Sequence, residues 1–315
     1  EISCSLVGSE MCIRGRCIQH TRNNLEKIMD SIRLKARAKI NLGLDVLGKR
    51  EDGYHEVRMV MQTIGIYDRL ILTKIPEEEI RITSNLAFLP VNENNLIYKA
   101  IKLLKDEYHF PGGVSVDLNK FIPVAAGMAG GSTDAASTMF GVNRLFGLNL
   151  SMGKMMELGV RLGADVPYCV MRGTALAEGI GEKLTRITPV PHMWILIAKP
   201  QINVSTRLVY EQLDMGGIQK HPDIDGIIRA IEAQDVVRIA QSMGNVLENV
   251  TVPLYPVIET IKQDMLSHGA INAMMSGSGP TVFGIFPDEQ TTLACQAFLK
   301  KKGDARQVYI TENFN

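Results

Sequence analysis

A glycine-rich segment that runs directly into an alanine-rich one constrains the fold of this chain more than any other feature. Residues 123–137 read Pro-Val-Ala-Ala-Gly-Met-Ala-Gly-Gly-Ser-Thr-Asp-Ala-Ala-Ser. Glycine adopts positive φ and allows close approach of the backbone, which predicts a tight loop here. The pattern predicts a helix over 133–146, with Ser132 or Thr133 as its N-cap and Asp134 in its first turn.

The start of such a helix is an anion site, because its first N–H groups lack partners and its dipole lies behind them. Nucleotide phosphates are the best match. No Gly-Lys-Ser/Thr ends this loop and it lacks Gly-x-Gly-x-x-Gly, so it is neither the P-loop of the common NTPases nor a dinucleotide fingerprint. The alternative interpretation is a loop that only turns a corner before a helix.

Three other segments carry reactive residue types. Lys39, in Ala-Lys-Ile-Asn-Leu, is a cation beside an apolar strand, although a solvated surface charge is the alternative. Asp165, in Gly-Ala-Asp-Val-Pro, is a carboxylate in apolar surroundings, where it can gain the basicity to accept a proton. Helix capping is its alternative. The segment 275–280, Met-Ser-Gly-Ser-Gly-Pro, is a second glycine loop or a flexible turn.

Composition excludes several classes of partner. Lys plus Arg and Asp plus Glu are 34 each, whereas general nucleic-acid or anionic-membrane binders are usually basic. No apolar run approaches the ~20 residues of a membrane span, and no signal peptide is visible. Five cysteines without zinc-ligand spacing indicate a reduced, cytoplasmic protein. We therefore expect no nucleic acid and no membrane as partners. We also expect a small-molecule substrate and a monomer or homodimer, although the composition does not decide the oligomeric state.

The chain divides into three parts. Residues 1–31 are polar and irregular, and we interpret them as a flexible or non-native leader, with Met29 as a plausible start. Residues 32–187 and 188–315 are the two predicted domains, in line with about two domains for 315 residues. Strands and helices alternate in both without a regular βαβ spacing, which favours the α+β class.

The predicted elements follow from hydrophobic periodicity. Strands are predicted over 32–38, 41–47, 69–74, 114–118, 194–198, 281–286 and 306–310. Helices are predicted over 94–108, 133–146, 151–162, 205–213, 223–233 and 256–268.

Taken together, these motifs resemble the GHMP kinases. The shared pattern is Pro-x3-Gly-x2-Gly-Gly-Ser-x-Asp-Ala-Ala, an early lysine and a late Ser-Gly-Ser-Gly-Pro. Ala-Lys-Ile-Asn-Leu, Asp-Gly-Tyr-His-Glu and Gly-Ala-Asp-Val-Pro are similar to the branch that phosphorylates the 2-hydroxyl of 4-diphosphocytidyl-2-C-methyl-D-erythritol. The resemblance runs from about residue 32 to 310. It implies a two-domain fold, with a first domain like the second domain of ribosomal protein S5, a ferredoxin-like second domain and an active site between them.

The resemblance also implies roles for individual residues. Lys39 and Asp165 match the catalytic pair, in which Asp165 accepts the hydroxyl proton and Lys39 stabilises developing charge. The late glycine loop would close over the reacting phosphate and comprises Ser276, Gly277, Ser278 and Gly279. Residues matching the ATP site are Pro123, Gly127, Met128, Ala129, Gly130, Gly131, Ser132 and Thr133. Residues matching the substrate site are Asn41, Tyr54, His55, Thr206 and Tyr210, with Tyr54 and Tyr210 stacking on cytosine and His55 reading its polar edge.

The implied cofactors are ATP and Mg²⁺, and the sequence identifies no carboxylate cluster dedicated to the metal. The chain departs from the family pattern at Met128 and Ala129, where many members carry Leu and Gly. A left-handed conformation at Ala129 would cost ~1 kcal/mol or more. Another GHMP small-molecule kinase, or a non-catalytic nucleotide-binding protein on the same scaffold, are the alternatives.

Overall fold

The computed structural model describes residues 30–218 and 220–315. Almost all of the predicted leader lies outside the described residues, including Met29 and the cysteines at positions 4, 12 and 17. Within the described ranges, no helix combines the length and apolar character that a bilayer crossing requires.

The first part of the chain is a mixed α+β layer. Its strands are β1 (Ser31–Lys49), β2 (His55–Ile75), β3 (Ile80–Ser84), β4 (Gly113–Asn119), β5 (Thr174–Gly179) and β6 (Lys183–Arg186). Its helices are α1 (Leu96–Tyr108), α2 (Gly130–Phe146), α3 (Met152–Val160) and α4 (Val166–Met171).

The remaining elements form the second part. Its strands are β7 (Trp194–Pro200), β8 (Gly244–Asn245), β9 (Asn272–Met275), β10 (Val282–Phe286) and β11 (Ala305–Glu312). Its helices are α5 (Thr206–Glu211), α6 (Ile224–Glu232), α7 (Val236–Ser242), α8 (Glu248–Leu254), α9 (Val257–Ser267) and α10 (Glu289–Lys302), with a short 3₁₀ turn over Met215–Gly217.

A long antiparallel hairpin of β1 and β2 is the centre of the first sheet. The strand order is β3-β4-β2-β1-β8, with β5 pairing with β2, and β6 with β5. Helix α2 packs closely on this hairpin, since a Cβ added at Gly141 would lie 2.7 Å from Leu72 and 2.8 Å from Leu34. This close packing fixes the later turns of α2 on the hairpin.

The second sheet has the order β11-β7-β10-β9, and all its pairs are antiparallel. All five residues of β10 are buried, which is the pattern of a strand covered on both faces. One strand crosses between the two parts. The two residues of β8 pair in parallel with Gly43 and Leu44 of β1, so chain beyond residue 187 extends the first sheet. The division near residue 187 stays a prediction.

Several predicted elements differ from those observed. The two strands predicted over 32–38 and 41–47 form one continuous strand, β1. The first half of β2 was not predicted, because both faces of residues 57–64 are largely buried and the sequence shows no alternation. The predicted cap of α2 is wrong: the helix begins at Gly130, and Ala129 is its N-cap. The loop before the helix packs on β1, where Lys39 N donates to Met128 O, so the helix starts earlier than the capping pattern indicated.

Candidate active site

A cleft of about 1020 Å³ lies where the two parts of the chain meet. Its walls come from the first glycine loop, β1, the β1–β2 turn, α4, α5 and the late glycine loop. Of the residues predicted for the site, most line this cleft: Lys39, Asn41, Tyr54, His55, Pro123, Gly127, Met128, Ala129, Gly130, Gly131, Ser132, Asp165, Thr206, Tyr210, Gly277 and Ser278. Thr133, Ser276 and Gly279 lie behind the wall.

The first glycine loop presents free N–H groups to the cleft. The first hydrogen bond of α2 runs from Thr133 N to Ala129 O at 2.9 Å, so the N–H groups of Gly130, Gly131 and Ser132 precede it. Such groups at a helix start, with the dipole behind them, form an anion site. The loop also packs on β1, where Lys39 N donates to Met128 O at 3.3 Å.

Ala129 adopts the left-handed conformation, with φ 55° and ψ 31°. The penalty that the sequence predicted for this case therefore applies, at about 1 kcal/mol. Met128, the other departure from the family pattern, is buried in the core beside the loop.

The two glycine loops interlock. Gly127 has φ +70°, and a Cβ added there would lie 2.0 Å from the carbonyl oxygen of Ser276. In the opposite direction, Ser276 Oγ donates to Gly127 O at 3.0 Å. A Cβ added at Gly277 would lie 3.1 Å from Gly127 O. Only glycine at 127 allows this approach, so the late loop is a wall of the same site and not an isolated turn.

Lys39 is buried in β1 and its ammonium points along the cleft wall. Its Nζ donates to Asn41 Oδ1 at 2.7 Å, and Asn41 Nδ2 in turn lies 3.1 Å from Met59 Sδ. The surface-charge interpretation is excluded, since the residue is only 5% exposed. A buried cation with one neutral oxygen partner can stabilise negative charge on a bound group.

Asp165 is the N-cap residue of α4, yet its side chain makes no capping hydrogen bond. The carboxylate lines the cleft instead. Burial is the main cause that raises the pKa of the Cys169 thiol, while Asp165 raises it further and Lys39 lowers it. Asp165 and Lys39 line the same cleft, although 126 positions separate them in the numbering.

Aromatic side chains also line the cleft. The rings of His55 and Tyr210 lie 5.2 Å apart at an interplanar angle of 38°, and Tyr54 stands at the rim, 59% exposed. Burial, with a contribution from Lys49, lowers the pKa of His55, which favours the neutral imidazole. Burial raises the pKa of Tyr210, so its hydroxyl stays protonated.

A buried ion cluster below the first glycine loop was missed from the sequence. Lys120 Nζ contacts Asp68 and lies 2.8 Å from Asp134 Oδ2. Asp68 Oδ1 also accepts from the N–H groups of Phe121 and Ile122. Within the described ranges Asp134 Oδ1 is buried without a partner, and desolvation raises the pKa of this carboxyl well above its ordinary range. The three charges are distant in sequence, so no local signal announces the cluster.

Other lining residues also lacked a sequence signal. They come from the segment before α1 and from α5, and comprise Leu89, Pro90, Asn94, Asn95, Leu96 and Arg207. The Asn95 side chain caps α1 by accepting from Ile97 N at 2.9 Å, so the cap pattern identifies a helix start there but not a cleft wall.

The donor set fits a magnesium ion that is held mainly by a bound triphosphate. Among the described residues, no three His, Cys, Asp or Glu side chains gather as a metal site. Mg²⁺ commonly keeps several waters and binds substrate phosphates with few protein ligands. Ser132 supplies a hydroxyl beside the free N–H groups. Asp134 lines the same cleft, although its Oδ1 atom is buried and has no partner among the described residues.

Comparison with known proteins agrees with this geometry. The family profile "GHMP kinases N terminal domain" matches residues 95–173, and "GHMP kinases C terminal" matches residues 227–305. The chain is 72% identical over 286 residues to the 4-diphosphocytidyl-2-C-methyl-D-erythritol kinase of Lachnospira eligens, covering 91% of this chain and 99% of that protein. It is 52% identical over 251 residues to the Bacillus subtilis enzyme of the same name, covering 80% and 86%.

Solved structures show the same fold. A crystal structure of 4-(cytidine 5'-diphospho)-2C-methyl-D-erythritol kinase superposes with a TM-score of 0.78 at 28% identity, covering 90% of this chain and 100% of that one. The homoserine kinase of Cytophaga hutchinsonii superposes at 0.75 with 21% identity, covering 91% and 96%, which is a likeness of fold alone. The predicted α+β, two-domain GHMP kinase fold is confirmed, and the chain belongs to the 4-diphosphocytidyl-2-C-methyl-D-erythritol kinase family.

Proposed function

We propose that this chain transfers the γ-phosphate of ATP to the 2-hydroxyl of 4-diphosphocytidyl-2-C-methyl-D-erythritol, giving the 2-phosphate and ADP in isoprenoid precursor biosynthesis. One observation carries the proposal. The buried ammonium of Lys39 and the side chain of Asp165, which makes no capping hydrogen bond, share a cleft with a helix start that presents free N–H groups. The names of the relatives supply the substrate, and the cleft supplies groups suited to it.

In the proposed reaction, Asp165 takes the proton of the substrate hydroxyl, and the oxygen forms its bond to the γ-phosphorus. The bond between that phosphorus and the β,γ-bridging oxygen breaks, and ADP leaves with the electron pair. Lys39 orients the hydroxyl and stabilises the charge that develops. Positioning and electrostatic stabilisation provide most of the rate in phosphoryl transfer, so this small set of groups is sufficient.

The ATP triphosphate would lie on the N–H groups of Gly130, Gly131 and Ser132, flanked by Gly127 and the late loop. Mg²⁺ would be held by the phosphate oxygens, water and the Ser132 hydroxyl. When bound, the ion neutralises charge on the triphosphate. The chain's own contribution is the alignment of the terminal phosphate with the acceptor hydroxyl.

The cytidine moiety would lie between the aromatic groups that line the cleft. Neutral His55 offers a donor and an acceptor to the polar edge of cytosine. Tyr54 and Tyr210 offer ring faces, and stacking of a base on an aromatic ring contributes about 1–3 kcal/mol. Asn41 and Thr206 add polar contacts from β1 and the start of α5. A kinase whose substrate lacks a base has no use for this arrangement.

A coupled assay of ADP release tests the proposal. The purified chain is given ATP, Mg²⁺ and one acceptor at a time: the cytidine substrate, free methylerythritol phosphate, mevalonate or homoserine. Turnover only with the cytidine substrate is expected. Turnover with mevalonate or homoserine would instead identify another GHMP kinase activity, and ATP binding without turnover on any acceptor would indicate a nucleotide-binding protein.

A further inference from the structure

Asn245, which sequence analysis did not single out, lies directly behind the late glycine loop. It is the second residue of β8 and is 8% exposed. Its amide nitrogen donates to Met275 O at 2.9 Å and to Gly277 O at 2.8 Å. Its Oδ1 accepts from Leu247 N at 3.0 Å. Both amide hydrogens and the oxygen are therefore used, and two of the three bonds hold the loop.

These bonds decide which way a peptide group of the loop faces. The Gly277–Ser278 peptide is trans, so its C=O and N–H point in opposite directions. Because the carbonyl faces Asn245, the Ser278 N–H faces away from it. Gly277 and Ser278 are also the two residues of the loop that line the cleft. In the described part of the chain, the Ser278 N–H has no protein acceptor.

We infer that Asn245 is a positioning residue, which turns the Ser278 N–H toward the cleft as a hydrogen-bond donor for the terminal phosphate of the bound nucleotide. The inference rests on the proposed function for the identity of that phosphate. Backbone N–H groups fixed in advance stabilise developing negative charge because they need no reorganisation during the reaction. Thr251 Oγ1 supports the loop through Ser278 O at 3.3 Å, but among the described residues Asn245 alone bonds to the Gly277 carbonyl.

The pairing of β8 with β1 connects Asn245 to the catalytic side of the cleft. Strand β8 pairs with β1, and β1 also carries Lys39 and Asn41. Asn245 and β8 therefore connect the late loop to β1, the strand that carries the Lys39 ammonium. A displaced Asn245 would move the donor relative to Lys39.

The test compares Asn245→Asp, Asn245→Ala and a matched control, Asn272→Asp. Asn272 lies in β9, where its amide donates to Ala240 O at 2.7 Å and its Oδ1 accepts from Ala273 N at 2.8 Å, and it does not line the cleft. The control therefore makes the same chemical change in a similar bonding pattern. The measurements are kcat with the cytidine substrate, the melting temperature, and the dissociation constants of ADP and of the imido analogue of ATP.

Asn245→Asp should lower kcat by ~100-fold, because a carboxylate repels the two carbonyls and releases the loop. Asn245→Ala removes the bonds without introducing repulsion and should lower kcat by about tenfold. This variant tests the inference even if the Asp variant does not fold. In both Asn245 variants the affinity for ADP should be unchanged. The imido analogue of ATP should no longer bind more tightly than ADP does. Asn272→Asp should lower the melting temperature and leave kcat and both affinities intact.

Two outcomes would overturn the inference: an Asn245 variant that keeps the wild-type difference between ATP-analogue and ADP affinity, or equal losses in the Asn245 and Asn272 variants. The binding measurements need no acceptor substrate. If the wild-type chain fails to use the cytidine substrate but Asn245→Ala still abolishes the γ-phosphate contribution to binding, the proposed function is wrong and the role of Asn245 stands.

Discussion

The hydroxyl of Ser276 donates a 3.0 Å hydrogen bond to the carbonyl oxygen of Gly127, across a separation of 149 positions in the chain. This contact joins the two glycine loops into one wall of the cleft. Its closeness depends on the absence of a side chain at Gly127, where the backbone of the late loop fills the space of a Cβ. The N–H groups that we propose to bind phosphate, which come from both parts of the chain, therefore belong to one cleft wall.

Gly127→Ala should disrupt this contact. The new Cβ would lie 2.0 Å from Ser276 O, at a φ of +70°. We expect a loss of about 2 kcal/mol or more in the free energy of unfolding, and an increased KM for ATP. Gly147→Ala is the matched control, since Gly147 has φ +62° with open space around it. Urea denaturation should show a loss of only about 1 kcal/mol for Gly147→Ala. Equal losses would contradict the interlocking of the loops.

Ala129→Gly should stabilise the chain. Ala129 holds φ 55° at the N-cap of α2, and glycine adopts this conformation without the steric penalty. The expected gain in unfolding free energy is about 1 kcal/mol. Ala297→Gly, on the exposed face of α10, is the control with the opposite sign, and a loss of about 1 kcal/mol is expected there. A loss in both variants would show that no strain is stored at Ala129.

Asp165→Asn and Lys39→Met should abolish most turnover without unfolding the chain. Loss of the proposed base should lower kcat by ~10³-fold, and loss of the ammonium by a similar factor. ATP affinity should change little for Asp165→Asn. Asp117→Asn, an exposed position in β4, controls for removal of a carboxylate. Near-wild-type kcat in folded Asp165→Asn would refute the assignment of the base.

His55 should titrate below its ordinary value of 6.5 in the folded chain, because burial and Lys49 disfavour the imidazolium. As the pH falls through 6.5, the unfolded chain takes up the proton first, so this group's contribution to stability decreases toward acid pH. An NMR titration, with His55→Gln to assign the resonance, gives the midpoint directly. A midpoint above 6.5 would contradict the prediction.

Lys120→Met should be strongly destabilising. It removes the shared partner of Asp68 and Asp134 and leaves two carboxylates in a buried site. The expected loss of unfolding free energy is about 3–5 kcal/mol. Lys154→Met, which breaks the exposed pair with Glu157, should lose less than about 1 kcal/mol. Similar urea midpoints for the two variants would mean that the buried cluster contributes no more to the free energy of unfolding than an exposed ion pair does.

The sequence predicted functional motifs where their residues lie close together along the chain. Residue type and spacing singled out the first glycine loop, the late loop and the segments around Lys39 and Asp165, each with a structural alternative, and the family resemblance supplied their expected roles. The sequence predicted less well those helix and strand boundaries that depend on contacts between distant parts of the chain. Strand β2 runs from His55 because its first half is covered on both faces, and α2 starts at Gly130 because the loop packs on β1.

The sequence by itself therefore indicated a helix start suited to phosphate, an early cation and a lone carboxylate, while the base-stacking set was implied by the family resemblance. Their combination is a property of the tertiary structure. The tertiary structure shows that the Asp165 side chain makes no capping hydrogen bond at α4. It also gives Ala129 a left-handed φ and places Asn245 in contact with the late loop. The physical reason is that hydrogen bonds, burial and steric contact act between atoms that are near in space, whereas a linear sequence records only which residues are near along the chain.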